Sequence, residues 1–369
     1  MTFILSWRPD RLTAQRTNAT RSTQGTTSTL PRGSYLCAAY LDSKMLRFGP
    51  YMAWTDRHIG RGNFGTVLQG EHCQSAEPVA VKVEPEGRRQ RLPTESSVYQ
   101  ALTGCPGFPR MRWFGRAHGR LALVLDLLGP SLKTIHHRAG MGLGVCALQH
   151  VGEQALRRLE TLHQFGWLHC DVKPGNLLLP AAQRRTSSPV ASRDDRSAAR
   201  RARGQWDGGC DDGWIRRTPR ADIDVTRPIS LIDFGLSRRW RDAATGKHMR
   251  ADACARRRAG APVGTGRFAS LNNHSGGALS RRDDLEALAF SLIYLRMGRL
   301  PWSGLKPPPA SKEERFAAML DSKRSVGVAE MSRGLPDGFE LFLGAIRQLE
   351  FEEPPQYCVL VQMIRSWRD

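Results

Sequence analysis

Two short strings of polar residues are the most informative feature of this sequence. One is HCDVKPGN at 169–176, and the other is IDFG at 232–235. Together they supply four side chains suited to phosphoryl transfer from a magnesium nucleotide, namely Asp171, Lys173, Asn176 and Asp233. The transferred group passes through a loose transition state with spread charge, so a protein catalyst mainly positions the reactants and neutralises charge.

Each of these residue types has a role in that chemistry. Asp171 can orient the proton of an incoming hydroxyl group, and Lys173 can reach the γ-phosphate. Asn176 and Asp233 offer the hard oxygen ligands that Mg²⁺ prefers. An Asp-Phe-Gly tripeptide alone is equally consistent with a surface turn, so the interpretation needs further matches upstream.

A glycine-rich string at 59–67, IGRGNFGTV, precedes the strand-like string VAVK at 79–82. Such a loop also fits a dinucleotide-binding fold or a plain hairpin turn. Here the alternation of apolar residues on both sides predicts strands, which argues against the dinucleotide fold. We expect Lys82 to pair with the nucleotide phosphates, although a solvated lysine at a strand edge is the alternative. The expected nucleotide contacts in this half are Ile59, Gly60, Gly62, Gly65, Val67, Ala80 and Lys82.

Lys82 needs a carboxylate to hold it in place. The segment 92–102 has an early proline and apolar residues at helical spacing, which predicts a short helix. Glu95 lies in the first turn, where it could simply complement the helix dipole. Because it is the one acid on this segment, we expect Glu95 to be the ion-pair partner of Lys82.

Five further strings indicate a narrower resemblance. They are LLGPSL at 127–132, TGKH at 245–248, GTGRFASLN at 264–272, SRRDDLE at 280–286 and LPWSGLK at 300–306. Together with the strings above, they make the chain from about 51 to 367 similar to the casein kinase I family, apart from one insertion. The resemblance implies an α+β, two-lobed protein kinase fold with a β-rich N-lobe and a mainly helical C-lobe. It also implies ATP and Mg²⁺ as cofactors and Ser/Thr hydroxyls as acceptors.

The same resemblance predicts further positions. A buried strand at 121–125 leads into a hinge, where Leu125 is the expected gatekeeper and Asp126 and Leu128 are expected to contact adenine. Asp284, at the start of a buried helix, is expected to hydrogen-bond the backbone of residues 169–176, which form the catalytic loop. One departure is Cys170, which stands where the family normally has an arginine that anchors an anion. Activation by phosphorylation of the following loop is therefore not expected.

The expected organisation has three parts: an N-terminal extension at 1–47, an N-lobe at 48–128 and a C-lobe at 129–369. The extension is either an organellar transit peptide, a disordered tail or a misassigned gene start. A segment at 181–228 interrupts the C-lobe with eleven arginines and seven aspartates, and it is predicted to be a disordered insertion. Eight scattered cysteines suggest a reducing compartment, without disulfides or zinc.

The net charge of +20 is concentrated in part around the segment 238–267, where nine basic residues face two aspartates. This surplus predicts acidic or phospho-primed protein substrates, gripped by arginines such as Arg238 and Arg267. A general bias of the genome towards arginine would explain the same surplus. We expect a monomeric enzyme of the cytoplasm or nucleus, with neither membrane nor nucleic acid as a partner. The alternative is a catalytically weak scaffold that binds nucleotide or acidic partners.

Overall fold

The structure of the chain is a computed structural model. It describes residues 44–62, 65–85, 90–181, 227–251, 261–304 and 311–368. Most of the expected extension and of the expected insertion lies outside the described residues, as do the arginines at 256–258.

The N-terminal half of the described chain is one antiparallel sheet with the strand order β1-β2-β3-β4-β6-β5. The strands are β1 (Met45–Phe48), β2 (Tyr51–Gly62), β3 (Gly65–His72), β4 (Pro78–Pro85), β5 (Met111–Ala117) and β6 (Arg120–Asp126). The strands expected around 66–68, 79–83 and 121–125 are all present. Strand β1 begins at Met45, within the last residues of the segment that the sequence assigned to the extension.

Alternating side chains of β6 pack into two hydrophobic clusters, one on each face of the sheet. Ala122 and Val124 pack with β3 and β4 in the smaller cluster. Leu121, Leu123 and Leu125 point the other way, into a large cluster that continues through helix α1 (Leu92–Ala101) into the C-terminal half. The sheet therefore reaches the helical half through a continuous apolar core.

The C-terminal half is mainly helical, with two long helices at its centre. Helix α3 (Val145–Gln164) and helix α5 (Arg281–Met297) pack on each other, and nearly every side chain of α5 is buried. The other helices are α2 (Leu132–Ala139), α4 (Leu271–His274), α6 (Lys312–Ser325), α7 (Val328–Met331), α8 (Phe339–Gln348) and α9 (Tyr357–Arg365).

Short strands frame the loops between α3 and α5. Strands β7 (Leu128–Ser131), β9 (Leu177–Pro180) and β10 (Ser230–Leu231) form one small sheet, and β8 (Trp167–Leu168) pairs with β11 (Arg238–Arg239). The strings HCDVKPGN at 169–176 and IDFG at 232–235 lie in the connections of these sheets. Among the described residues, no helix is long and apolar enough to cross a bilayer.

Candidate active site

The structure brings Lys82 together with Glu95, as the sequence predicts, and also with Asp233. The Lys82 Nζ atom on β4 donates to Glu95 Oε2 of α1 at 2.7 Å and to Asp233 Oδ1 at 2.7 Å. The Glu95 side chain is buried, whereas the Asp233 side chain keeps a quarter of its surface exposed. One cation therefore links the sheet, helix α1 and the loop that carries Asp233.

The three charges shift one another's proton affinities. Burial alone would lower the pKa of Lys82, but the charges of Glu95 and Asp233 outweigh it and hold that pKa above its ordinary value. Burial raises the pKa of Glu95 to about 7, because Lys82 offsets the desolvation of this carboxylate only in part. For Asp233, burial would raise the pKa, but the charge and hydrogen bond of Lys82, together with the charges of Lys173 and His169, hold it below the ordinary range.

Helix α1 is fixed at its start by a buried acid that the sequence analysis did not identify. The Glu84 Oε2 atom accepts hydrogen bonds from the backbone N–H groups of Arg91 at 3.0 Å and Leu92 at 3.1 Å. These are two of the N–H groups at a helix start that have no partner within the helix. Glu84 thereby orients the helix that presents Glu95.

Edge-to-face aromatic contacts connect helix α1 to both polar strings. The ring of Phe234, which is fully buried, contacts the ring of Tyr99 on α1 at 4.9 Å and the ring of His169 at 5.3 Å between centroids. Edge-on packing of this kind is favourable beyond the area that it buries. Phe234 therefore anchors Asp233, its chain neighbour, between helix α1 and the catalytic loop.

Asp171 lies at the centre of a second polar cluster. Its Oδ2 atom accepts from Lys173 Nζ at 2.5 Å, and its Oδ1 atom accepts from the Thr265 backbone N–H at 2.7 Å. Lys173 Nζ also donates to the Thr265 hydroxyl at 3.0 Å. The side chain of Asn176 donates to the Asp171 carbonyl at 2.9 Å, which holds the loop closed. The sequence predicted Asp171, Lys173 and Asn176 together, but not Thr265.

The backbone of this loop is held by Asp284, which confirms the role expected for that residue. The Asp284 Oδ2 atom accepts from the His169 N–H at 2.7 Å, and Oδ1 accepts from the Cys170 N–H at 2.8 Å. Cys170 has a left-handed backbone with φ of 64°, which is costly for a residue other than glycine. The paired bonds to Asp284 offset that cost. A further bond from His163, itself bonded to Tyr357, ties this aspartate to helices α3 and α9.

The segment after 260 approaches the catalytic loop so closely that one position requires glycine. Gly264 has a φ of +79°, and a Cβ atom there would lie 2.5 Å from the Cys170 carbonyl oxygen. The next residue is Thr265, which bonds Asp171. Gly264 therefore permits the contact between the two segments.

These contacts form two polar clusters, one of a lysine with two carboxylates and one of an aspartate with a lysine, and they are near enough for the charge of Lys173 to help lower the pKa of Asp233. The family model for the protein kinase domain matches residues 54–196, a stretch that includes Lys82, Glu95 and Asp171. Residues 54–196 are therefore similar to a protein kinase domain. The match, together with the sheet and helices described above, confirms the expected two-lobed α+β fold and supports a phosphotransferase activity.

The positions predicted to contact the nucleotide lie on adjacent strands of the kinase domain. Gly60 pairs with Val67 across β2 and β3, Val67 pairs with Lys82, and Ala80 pairs with Leu125 of β6. Gly62, the last residue of β2, pairs with Gly65, the first residue of β3. Ile59 is half exposed.

The hinge positions restrict how adenine could be bound. The Asp126 backbone N–H donates to the Arg110 carbonyl, and the Asp126 carboxylate accepts from Arg112 Nε at 2.6 Å. A contact to adenine at Asp126 would therefore have to use its carbonyl oxygen. Leu128 is partly exposed at the start of β7. The adenine-binding roles of Asp126 and Leu128 stay predictions.

The residues predicted to hold Mg²⁺ have suitable donor atoms. Asn176 directs its amide nitrogen to the Asp171 carbonyl, which leaves the amide oxygen as its metal-binding atom. Asp233 uses Oδ1 for Lys82 and retains a second carboxylate oxygen. Both would supply hard oxygen ligands, so the chemistry of the donor set fits Mg²⁺.

The remaining predicted residues lie at the surface or in apolar surroundings. Arg238, on β11, and Arg267 have exposed side chains, and their role in binding anions stays a prediction. Cys170 is buried in an apolar cluster with Leu168 and Leu279. The side chain at position 170 is therefore a neutral, buried thiol with apolar neighbours.

Proposed function

We propose that the chain is a serine/threonine protein kinase similar to the casein kinase I family. It would transfer the γ-phosphate of Mg-ATP to Ser or Thr hydroxyls of acidic or phospho-primed proteins. The observation that carries this proposal is the set of contacts among Asp171, Lys173 and Thr265. The charge of Lys173 also acts on Asp233, which belongs to the charged cluster around Lys82.

The contacts of Thr265 support an aliphatic hydroxyl as the acceptor. The Thr265 hydroxyl lies 3.0 Å from Lys173 Nζ, which in turn lies 2.5 Å from Asp171 Oδ2. A small hydroxyl group is thus already accommodated beside the catalytic aspartate. We infer that Asp171 accepts a hydrogen bond from the substrate hydroxyl and orients its oxygen for attack.

The lysines of the site would balance negative charge. Lys173 can turn from Asp171 towards the transferred group, and Lys82 can exchange the exposed carboxylate of Asp233 for a phosphate oxygen. Glu95, which is buried, keeps Lys82 in place during that exchange. Bound Mg²⁺ would neutralise phosphate charge beside Asn176 and Asp233.

The preference for acidic substrates follows from the charge around the cleft. Arg238, Lys247 and Arg267 all belong to the segment with nine basic residues against two acidic ones. Guanidinium groups bind carboxylates and phosphates through paired hydrogen bonds. We further propose that the enzyme acts as a monomer in the cytoplasm or nucleus. Because Cys170 lies in an apolar cluster, activity would not depend on phosphorylation of the following loop.

A phosphate-transfer assay tests this function. Wild type, Asp233→Asn and Asp321→Asn would be compared with Mg-ATP and three peptides of equal length. One peptide is acidic with a Ser acceptor, one has its acids replaced by Gln, and one carries Tyr instead of Ser. Asp321 is exposed on α6 and serves as a control for loss of one carboxylate.

The expected result is transfer by wild type and Asp321→Asn, best on the acidic Ser peptide. Asp233→Asn should lose about 100-fold or more in kcat/KM. Equal rates for wild type and Asp233→Asn would point to a contaminating kinase. Nucleotide binding without transfer would support the scaffold alternative instead.

A further inference from the structure

A buried lysine of helix α6 holds the segment that adjoins the catalytic aspartate. Lys323, on α6, is 1% exposed. Its amino group donates to the carbonyl oxygens of Gly266 at 2.9 Å and Ala269 at 2.5 Å. The ring of Trp302 lies below it, with the Lys323 nitrogen 4.8 Å from the ring centroid. Within the part of the chain that the structure describes, no carboxylate forms an ion pair with this lysine.

The tryptophan that contacts Lys323 holds the same segment at a third point. Trp302 Nε1 donates to the Arg267 carbonyl at 2.7 Å. Three of the four carbonyl groups from Gly266 to Ala269 thus accept hydrogen bonds from side chains of the C-lobe. We call this arrangement, Lys323 and Trp302 with the backbone of 266–269, the carbonyl clamp.

Among residues 266–269 of the carbonyl clamp, a single side chain is exposed to solvent. Gly266, Phe268 and Ala269 are buried, whereas Arg267 between them is exposed. At the other end of this segment, the Thr265 N–H donates to Asp171 Oδ1. Residues 266–268 form a turn closed by hydrogen bonds from the Phe268 and Ala269 N–H groups to the Thr265 carbonyl. Since two residues span at most roughly 7 Å, Arg267 emerges close to the catalytic aspartate. Its backbone cannot shift without breaking hydrogen bonds that are buried.

We infer that Lys323 is a positioning residue for substrate recognition. Lys323 fixes the backbone of Arg267, and the guanidinium group of Arg267 then contacts an acidic group of the bound peptide. The inference rests on the proposed function. The physical reason is that an arginine on a rigid backbone loses less conformational freedom when it binds an anion than one on a mobile loop.

The amino group suits this role without needing its charge. Burial lowers the pKa of Lys323 to about 7, while Glu286 raises it and Arg347 lowers it. A neutral amine has two N–H groups for the two carbonyls, and its lone pair can face His274 Nδ1 at 3.4 Å. The clamp therefore stays intact in either protonation state.

A double-mutant cycle separates positioning from a merely structural role. The variants are Lys323→Met, Arg267→Ala and the double substitution, assayed with the acidic Ser peptide and its Gln counterpart. With the acidic peptide, Lys323→Met should reduce kcat/KM about 5-fold to 10-fold, mainly through KM. With the Gln peptide the change should stay within about 2-fold. Once Arg267 is alanine, adding Lys323→Met should have little further effect on the acidic peptide.

Two further variants serve as a control and as a substitute for Lys323→Met. Arg324→Met removes a neighbouring exposed cation on the same helix and should leave both peptides unaffected. Trp302→Phe removes the N–H that bonds Arg267 but keeps an aromatic ring, and it should reproduce a weaker form of the Lys323→Met effect. It serves in place of Lys323→Met if that variant does not fold. Equal losses on both peptides, or additive losses in the cycle, would overturn the inference.

The binding of a fluorescent acidic peptide without nucleotide distinguishes the two possible failures. If the wild type binds the peptide but transfers no phosphate, the proposed function fails, whereas weaker binding by Lys323→Met still supports the positioning role. If both proteins bind the acidic peptide equally, the positioning role is wrong whether or not phosphate is transferred.

Discussion

Two buried lysines of this protein have opposite surroundings. Lys82 contacts the carboxylates of Glu95 and Asp233, and its pKa is raised above the ordinary value. Lys323 contacts the carbonyl groups of Gly266 and Ala269, and burial lowers its pKa to about 7. The difference shows that burial does not determine the state of a lysine by itself, because the charge of its partners decides it.

The different surroundings of the two lysines also imply different roles. The region around Lys82 holds a charge beside a carboxylate that is partly exposed, so its partners can be exchanged for those of a ligand. The region around Lys323 is closed, and its hydrogen bonds fix one backbone segment. The first region is therefore suited to chemistry, and the second is suited to holding a surface in place.

The largest effect is expected when the exchangeable charge is removed. Lys82→Met should reduce kcat/KM by about 100-fold to 1000-fold, because no other cation is held by both Glu95 and Asp233 in the described structure. Steady-state kinetics with Mg-ATP and the acidic Ser peptide measure this. Lys133→Met, an exposed lysine on α2, is the control and should match wild type. A loss of less than about 10-fold would mean that Lys82 does not act on the phosphates.

Local patterns were sufficient to predict the first region from the sequence. The alternation around Lys82 gave its strand, the helical spacing after Leu92 gave the helix of Glu95, and the string at 232–235 gave Asp233. Asp284 was also predicted, and its hydrogen bonds to the catalytic loop confirm that interpretation. In each case, the residue types are needed for a known chemistry at a known spacing.

The second region was not predicted, because nothing in a local pattern marks its contacts. Lys323 lies 57 residues from Gly266 and 54 from Ala269, and it is one of several charged residues on α6. A lysine on a helix of low apolar periodicity is normally exposed. Thr265 was missed for a similar reason, since it reaches Asp171 across 94 residues. Only the folded chain shows which polar side chain meets which backbone group.

A third buried cation, introduced beside an acid whose oxygens are already bonded, would test how far the partners of a cation decide its cost. Cys170→Arg places a guanidinium in the apolar cluster of Leu168 and Leu279, next to Asp284, whose two carboxylate oxygens already accept hydrogen bonds from the backbone of His169 and Cys170. We expect a loss of about 2–3 kcal/mol in the free energy of unfolding, measured with urea. Cys170→Ser is the control for loss of the thiol. An arginine variant as stable as wild type would show that the guanidinium has found an anion or solvent.

The pH dependence of stability should reveal the lowered pKa of Lys323. Its folded-state pKa of about 7 lies below the ordinary 10.5, so the unfolded chain binds more protons between these values. The contribution of Lys323 to stability therefore rises with pH in that window. Between about pH 7 and pH 9, the difference in unfolding free energy between wild type and Lys323→Met should grow by about 2 kcal/mol in favour of wild type. For Arg324→Met, the difference in unfolding free energy from wild type should not change with pH. If the difference for Lys323→Met is also constant over this range, the pKa of Lys323 is ordinary.

The smallest effect is expected for Glu95, and it has the opposite slope. Its folded-state pKa of about 7 lies above the ordinary 4.5, so the folded chain binds more protons in between, and its contribution to stability falls as pH rises. From about pH 5 to pH 6, wild type should lose about 1 kcal/mol relative to Glu95→Gln, whose amide does not titrate. Urea unfolding at each pH measures this, with Glu340→Gln on the exposed face of α8 as the control. If the two curves stay parallel, Lys82 neutralises Glu95 completely, and the first region holds one ion pair of ordinary strength and no carboxylate that titrates near pH 7.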